Sequence, residues 1–202
     1  MKKKLRIAIT GGIASGKSLF SQFLISRGEQ VIDLDTISHN LTSNDKETIE
    51  LIRKKFGDKV FDQSGSIDRK KLSNIVFNNC QSKKDLEDIL HPRIRKKMNQ
   101  LINLSKRERV FVEFHLLVEN NMAKAFDHIV ILSTSREAQI DRLINQRFMD
   151  QKLADQIIGS QLSDQERKDR LEGFSMDILE NNSSQDIFQE NIECLYKKLV
   201  DQ

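Results

Sequence analysis

The chain has 202 residues, 38% of them apolar, which suffices to bury a core as one domain and excludes a disordered tail. Lys+Arg exceeds Asp+Glu by only 33 − 30 = 3, in short clusters that read mostly as solvated helix faces; with one Tyr and no Trp, this argues against a nucleic-acid module. No stretch approaches the roughly eighteen apolar residues that span a bilayer, Cys80 and Cys194 are too few for a disulfide framework, and the signal-like start Met1 to Leu5 is cut short by Arg6 and Gly11-Gly12, so a cytoplasmic protein is expected.

Residues 5–9 form an apolar run interrupted by Arg6 and read as a buried strand. Gly11-Gly12-Ile13-Ala14-Ser15-Gly16-Lys17-Ser18 follows, matching G-x-x-x-x-G-K-[ST] at every fixed position. Residues 17–27 then place Phe20, Phe23, Leu24 and Arg27 at helical spacing. A glycine loop between a strand and a helix start is the context that phosphate binding needs. Gly11 and Gly16 permit backbone angles that a side chain obstructs, successive N–H groups turn toward phosphates, and the helix start adds partial positive charge. In that reading Lys17 reaches the β- and γ-phosphates and Ser18 Oγ ligates Mg²⁺. The alternative, a plain glycine-rich turn, requires a chance match of four fixed positions in a chain with eight glycines. The motif marks a nucleoside triphosphate protein.

Residues 30–34 read as a second strand, ending in Asp33 and Asp35. Ligands gather at strand ends in open α/β sheets, so Asp33 is a candidate base near the γ-phosphate or a group holding Mg²⁺ through water; the competing reading is that Asp33 or Asp35 caps a helix over 36–41. Apolar spacing predicts a helix over 45–56 that stops at Gly57. Asp62 to Gly65 has turn composition; it also fits D-x-x-G, but no guanine-reading N-K-x-D accompanies it. Helices are predicted over 69–77, 82–90 and 93–104, with Pro92 suited to the first turn of the last. His91-Pro92 either caps that helix or, flanked by Arg93 and Arg95, contacts an anionic substrate.

Residues 109–114 read as a third strand carrying Glu113 near its end, which is either a site group or a paired carboxylate. Residues 128–132 give a fourth strand and 135–145 a helix with Arg136 and Arg142. Polar helices follow over 148–161 and 164–171, where a phosphotransferase keeps a water-excluding lid; Arg142 and Arg147 either reach a transferring phosphate or sit on solvated faces. A short strand over 176–179 and an amphipathic helix over 187–200 close the chain.

Five motifs at their spacings resemble the dephospho-coenzyme A kinase family from residue 7 to about 181. They are the glycine loop; Val31-Ile32-Asp33-x-Asp35; Gly65-x-Ile67-Asp68-Arg69-x-x-Leu72-x-x-x-Val76-Phe77; Leu90-His91-Pro92; and Leu116-Leu117-x-Glu119. The resemblance implies a three-layer α/β P-loop kinase fold with a central, mostly parallel five-stranded sheet. A single domain would span 1–202, with an acceptor-binding helical insertion over about 36–106 and a lid over about 142–172. It implies ATP-dependent phosphorylation of the ribose 3′-hydroxyl of dephospho-coenzyme A to coenzyme A and ADP, the last step of coenzyme A synthesis, with Mg²⁺. On this sequence Asp33 is then the base, Lys17 and Arg142 stabilise the transferring phosphoryl, residues 11–18 hold ATP, and Asp33, Asp35, His91, Pro92, Glu113 and Leu116 meet the acceptor. The expected partners are these two small molecules, without nucleic acid or membrane, in a monomer or small homo-oligomer.

The chain departs from that family at several places. Ala14 stands where glycine is common, an exchange that requires ordinary backbone angles there. Leu19 replaces a threonine, His39 an arginine, His115 a proline and Glu113 an aspartate; the second arginine of Arg-Leu-x-x-Arg-Asp is displaced to Arg147, and Ser175-Met176 replaces Ala-Asp. Two readings compete with this one. A kinase of nucleotides or other metabolites would use nucleoside monophosphates, and a nucleotide-switched regulator would transfer phosphate slowly or not at all.

Overall fold

A computed structural model describes residues 4–201. In chain order it contains β1 (Leu5–Gly11), α1 (Lys17–Ser26), β2 (Val31–Asp33), α2 (Leu34–Asn44), α3 (Lys46–Phe56), α4 (Arg69–Phe77) and α5 (Cys80–Leu104). Then come β3 (Arg109–Glu113), β4 (His128–Ser133), α6 (Arg136–Asn145), α7 (Gln151–Gly159), α8 (Asp164–Arg170), β5 (Met176–Glu180) and α9 (Gln185–Val200). The chain divides into two units, one of residues 33–104 and one of the remainder on either side of it.

The larger unit is organised by β1, whose residues Ile7, Ala8 and Ile9 are completely buried, as expected of a central strand covered on both faces. The strand order is β2-β3-β1-β4-β5; β1 runs parallel to β3 and to β4, and β4 parallel to β5. Helices α1 and α9 supply Phe20, Phe23, Leu24, Phe188, Ile192, Leu195 and Leu199 to the cluster that also contains Ile7, Ile9, Phe111 and Leu132. At the start of β4, buried His128 lies 2.8 Å from Ser175 Oγ and 3.1 Å from Asp177 Oδ2, a use for the serine that stands at position 175.

The smaller unit is helical. Aspartates start α2, α3 and α4: Asp33 accepts from the Asp35 amide, Asp45 from that of Thr48, and Asp68 from those of Lys70 and Lys71. Its core is Ile52, Phe56, Val60, Phe61 and Leu72, with Leu86 and Ile89 of α5 packed against them.

Two predicted boundaries need correction. The helices expected over 82–90 and 93–104 are one helix, α5, with Pro92 inside it. Leu86 and Ile89 pack against the small core before the proline, while Met98 and Ile102 are buried after it, so tertiary packing keeps the helix continuous despite the missing N–H. Arg93 Nη1 donates to the Ile89 carbonyl at 3.1 Å in the affected turn. The helix expected from 148 begins at Gln151 instead: Phe148 is left-handed, with φ of 53°, and Asp150 caps the first turn by accepting from the amides of Lys152 and Leu153.

Candidate active site

The glycine loop leaves β1 and ends in α1, as its sequence requires. Gly16 is the N-cap of α1 in a left-handed conformation, no side chain caps this helix, and its first turn carries no acidic residue. A helix start of this kind presents backbone N–H groups and partial positive charge, the chemistry that suits a phosphate. Gly11 has φ of 150°, and a Cβ there would collide with the Leu132 carbonyl; a Cβ on Gly16 would lie 2.5 Å from Asn181 Nδ2. Both glycines are demanded by close approach as well as by backbone angle.

The expectation of ordinary angles at Ala14 is overturned: its φ is 57°. An L-residue held there costs roughly 1–2 kcal/mol, so the surroundings must hold this loop in place.

The loop carbonyls are all occupied. Lys17 Nζ donates to the carbonyls of Gly11 at 3.0 Å and Gly12 at 2.8 Å. Gln139 Nε2 donates to Ile13 O at 2.7 Å, Arg142 Nη1 to Ala14 O at 3.0 Å, and Asn181 Nδ2 to Ser15 O at 3.0 Å. The Gly16 carbonyl accepts from the Phe20 amide within α1. On the other side of Ile13, its amide donates to Gln161 Oε1 at 2.8 Å. Lys17, Arg142, Arg147, Asn181 and the exposed Ser18 line a cavity of about 490 Å³ beside this loop.

Arg142 is more engaged than its sequence position suggested. Its guanidinium also donates to Thr134 Oγ1 at 3.2 Å and to Asn181 O and Oδ1 at 2.7 and 3.0 Å, so it joins α6, the end of β4, the end of β5 and the loop. Burial lowers its pKa from the ordinary arginine value, with the Asp141 charge opposing; the group stays cationic. Arg147 is exposed at the cavity wall.

Glu113, at the end of β3, accepts from Ser21 Oγ of α1 at 2.6 Å, and Leu116 just beyond is 38% exposed. In the helical unit Asp33 and Asp35 are exposed at the start of α2; Asp33 also accepts from Thr36 Oγ1 at 2.7 Å, so the capping role weighed for it is filled. His91 and Pro92 lie within α5, half-buried and exposed respectively.

Several residues escaped sequence reasoning. Asn181, Gln139 and Gln161 meet the loop from positions far along the chain, and no local pattern marks them. Arg167 is the largest fully buried side chain; it donates to Asp164 Oδ1 at 3.2 Å and lies 3.9 Å from Glu119, while Asp164 Oδ2 accepts from Ser133 Oγ and the Thr134 amide. Its helix α8 reads as polar and solvated until the sheet end that it anchors to is known.

A parallel sheet of this order with a phosphate-binding loop between its central strand and α1 defines a P-loop kinase. The dephospho-CoA kinase family model matches residues 5–186. A dephospho-CoA kinase of Fusobacterium nucleatum is 36% identical over 193 residues, covering 96% of this chain and 94% of that protein. The solved dephospho-CoA kinase of Campylobacter jejuni superposes with a TM-score of 0.70 at 28% identity over 96% of both chains. The Thermus thermophilus protein TT1252 shares the fold, with a TM-score of 0.84 at 24% identity over 99% of this chain and 98% of its own. The chain belongs to the dephospho-CoA kinase family.

Proposed function

We propose that this protein transfers the γ-phosphoryl group of ATP to the ribose 3′-hydroxyl of dephospho-coenzyme A, giving coenzyme A and ADP in the last step of coenzyme A synthesis. The observation that carries this reading is the intact loop with its uncapped α1 terminus, in a chain matched from residue 5 to 186 by the dephospho-CoA kinase family.

The loop amides and the start of α1 bind the phosphates, and Lys17 leaves its carbonyl partners to follow the β- and γ-phosphoryl oxygens, where charge accumulates in the transition state. The cationic Arg142 adds a fixed positive field beside the loop and stabilises the same charge. Asp33 takes the proton of the acceptor hydroxyl, with Asp35, His91, Pro92, Glu113 and Leu116 as acceptor contacts. Residues 36–106 serve as the acceptor-binding insertion and 142–172 as the lid. The exposed hydroxyl of Ser18 beside Lys17 is a hard oxygen donor suited to Mg²⁺, which takes few protein ligands and keeps water and phosphate oxygens. No cluster of three or more acidic, His or Cys side chains fit for a metal occurs among the described residues, in keeping with a metal that arrives with its nucleotide. When bound, Mg²⁺ neutralises charge on the phosphates.

No helix among the described residues is long and apolar enough to cross a membrane, and Cys80 and Cys194 are exposed free thiols, which supports a reducing cytoplasmic setting. A coupled assay of ADP release tests the reading: turnover should require dephospho-coenzyme A together with ATP and Mg²⁺. Equal or faster turnover on nucleoside monophosphates would reject it.

A further inference from the structure

Ala14 is a side-chain-bearing residue in a conformation that favours glycine, at the crown of the phosphate loop. Its relaxed alternative is a flip of the peptide between Ile13 and Ala14, which makes φ of Ala14 negative. Because a peptide is planar, the same flip turns the Ile13 carbonyl to where the Ala14 amide had pointed. A carbonyl facing the cradle repels phosphate, and an amide facing away is lost to it.

The structure contains a brake on that flip. Gln139, buried on α6, donates from Nε2 to the Ile13 carbonyl at 2.7 Å, the bond that a flip must break. Its carboxamide is packed on the loop: a Cβ on Gly12 would lie 2.6 Å from the same nitrogen. The neighbouring peptides are held likewise, the Ile13 amide by Gln161, the Ala14 carbonyl by Arg142 and the Ser15 carbonyl by Asn181. The Ser15 amide makes a long bond of 3.4 Å to Gly12 O.

We propose that Gln139 is a positioning residue for nucleotide binding, holding the Ile13 carbonyl away from the phosphates and so keeping the left-handed Ala14 in the binding-competent form. This rests on the loop being the triphosphate cradle. Gln139 touches no reacting atom; it sets the fraction of molecules whose loop is ready, and apparent affinity falls in proportion to that fraction.

The test is a cycle between positions 139 and 14. Gln139→Met keeps the volume and removes the donor; it should weaken MgATP binding about tenfold, measured by calorimetric titration without acceptor, and raise KM for ATP with kcat nearly unchanged. Ala14→Gly removes the strain that drives the flip. In that background Gln139→Met should cost no more than about threefold in affinity relative to Ala14→Gly alone. Undiminished affinity in Gln139→Met, or a loss that the Ala14→Gly background does not reduce, overturns the proposal. Gln139→Ala, judged by the same criteria, serves should the methionine not fold. Binding is read without dephospho-coenzyme A, so a wrong acceptor assignment would leave these results untouched and appear only in the ADP-release assay.

Discussion

The helical unit and the sheet unit are assembled by opposite means. In residues 33–104 the helix starts are set locally, by aspartates that cap the helix beginning one residue later, and Ile52, Phe56, Val60, Phe61 and Leu72 gather within a single span onto which α5 packs from farther along. In the sheet unit β1 is paired with β3 and β4, and the loop after it is held by Gln139, Arg142, Gln161 and Asn181. The glycine loop is thus a local sequence whose shape depends on distant side chains, whereas the helical unit has its helix starts written in neighbouring residues. Stability and activity should consequently separate along this division.

The sharpest separation is expected for Lys17→Ala. Its ammonium bonds two loop carbonyls and lies on no packed core, so removal should lower kcat by 10³ or more while the thermal midpoint moves little. A loss under tenfold would remove Lys17 from transition-state stabilisation. Phe56→Ala should do the reverse: Phe56 is 7% exposed in the small core, and its truncation should destabilise the protein by about 3 kcal/mol in denaturant unfolding. Asp33→Asn probes the helical unit's proposed chemistry without breaking its structure, because asparagine caps helices as well as aspartate does. It should lower kcat about 10²-fold, with MgATP affinity and thermal midpoint retained. An unchanged kcat rejects Asp33 as the base and leaves it a cap.

The same division decides what the sequence makes legible. The loop and all five strands are readable because each is announced within a few residues, by glycines at fixed spacing or by an apolar run, and α4 matches its prediction over 69–77 because Asp68 marks its start. Pro92 misleads because a local helix-breaking signal competes with burial of Met98 and Ile102 that no neighbouring residue announces. Ala14 misleads for a related reason: its left-handed angle is held by Gln139 and Arg142, well over a hundred positions away. Arg167 is the extreme case, a charged residue in a polar heptapeptide helix that is 1% exposed because Asp164 and Glu119 receive it.

Pro92→Ala restores an N–H to the middle of α5 and relieves the crowding of the carbonyl one turn earlier. It should stabilise the protein by about 1 kcal/mol if position 92 serves packing alone; a matching rise in KM for dephospho-coenzyme A would instead tie the proline to acceptor binding, as the Leu90-His91-Pro92 motif implies.

The smallest effect follows from the caps of the helical unit. The hydroxyl and then the amide of Thr48 hold the Asp45 carboxyl below its ordinary value of 3.8, and the Lys71 amide does the same for Asp68. A carboxyl whose folded pKa is depressed binds its proton more weakly when folded. Its contribution is therefore complete above the unfolded pKa and disappears as pH falls through the folded one, a window below about pH 4. The thermal midpoint should fall between pH 5 and pH 3, and Asp45→Asn with Asp68→Asn should make that fall shallower, since asparagine keeps the caps and cannot titrate. Both groups are half-buried at the surface, where solvent screens them, so the change in slope should be small. An unaltered slope would assign the acid sensitivity to other depressed carboxyls, such as Asp62 and Asp85 of the helical unit or Glu166 in the capping box of α8.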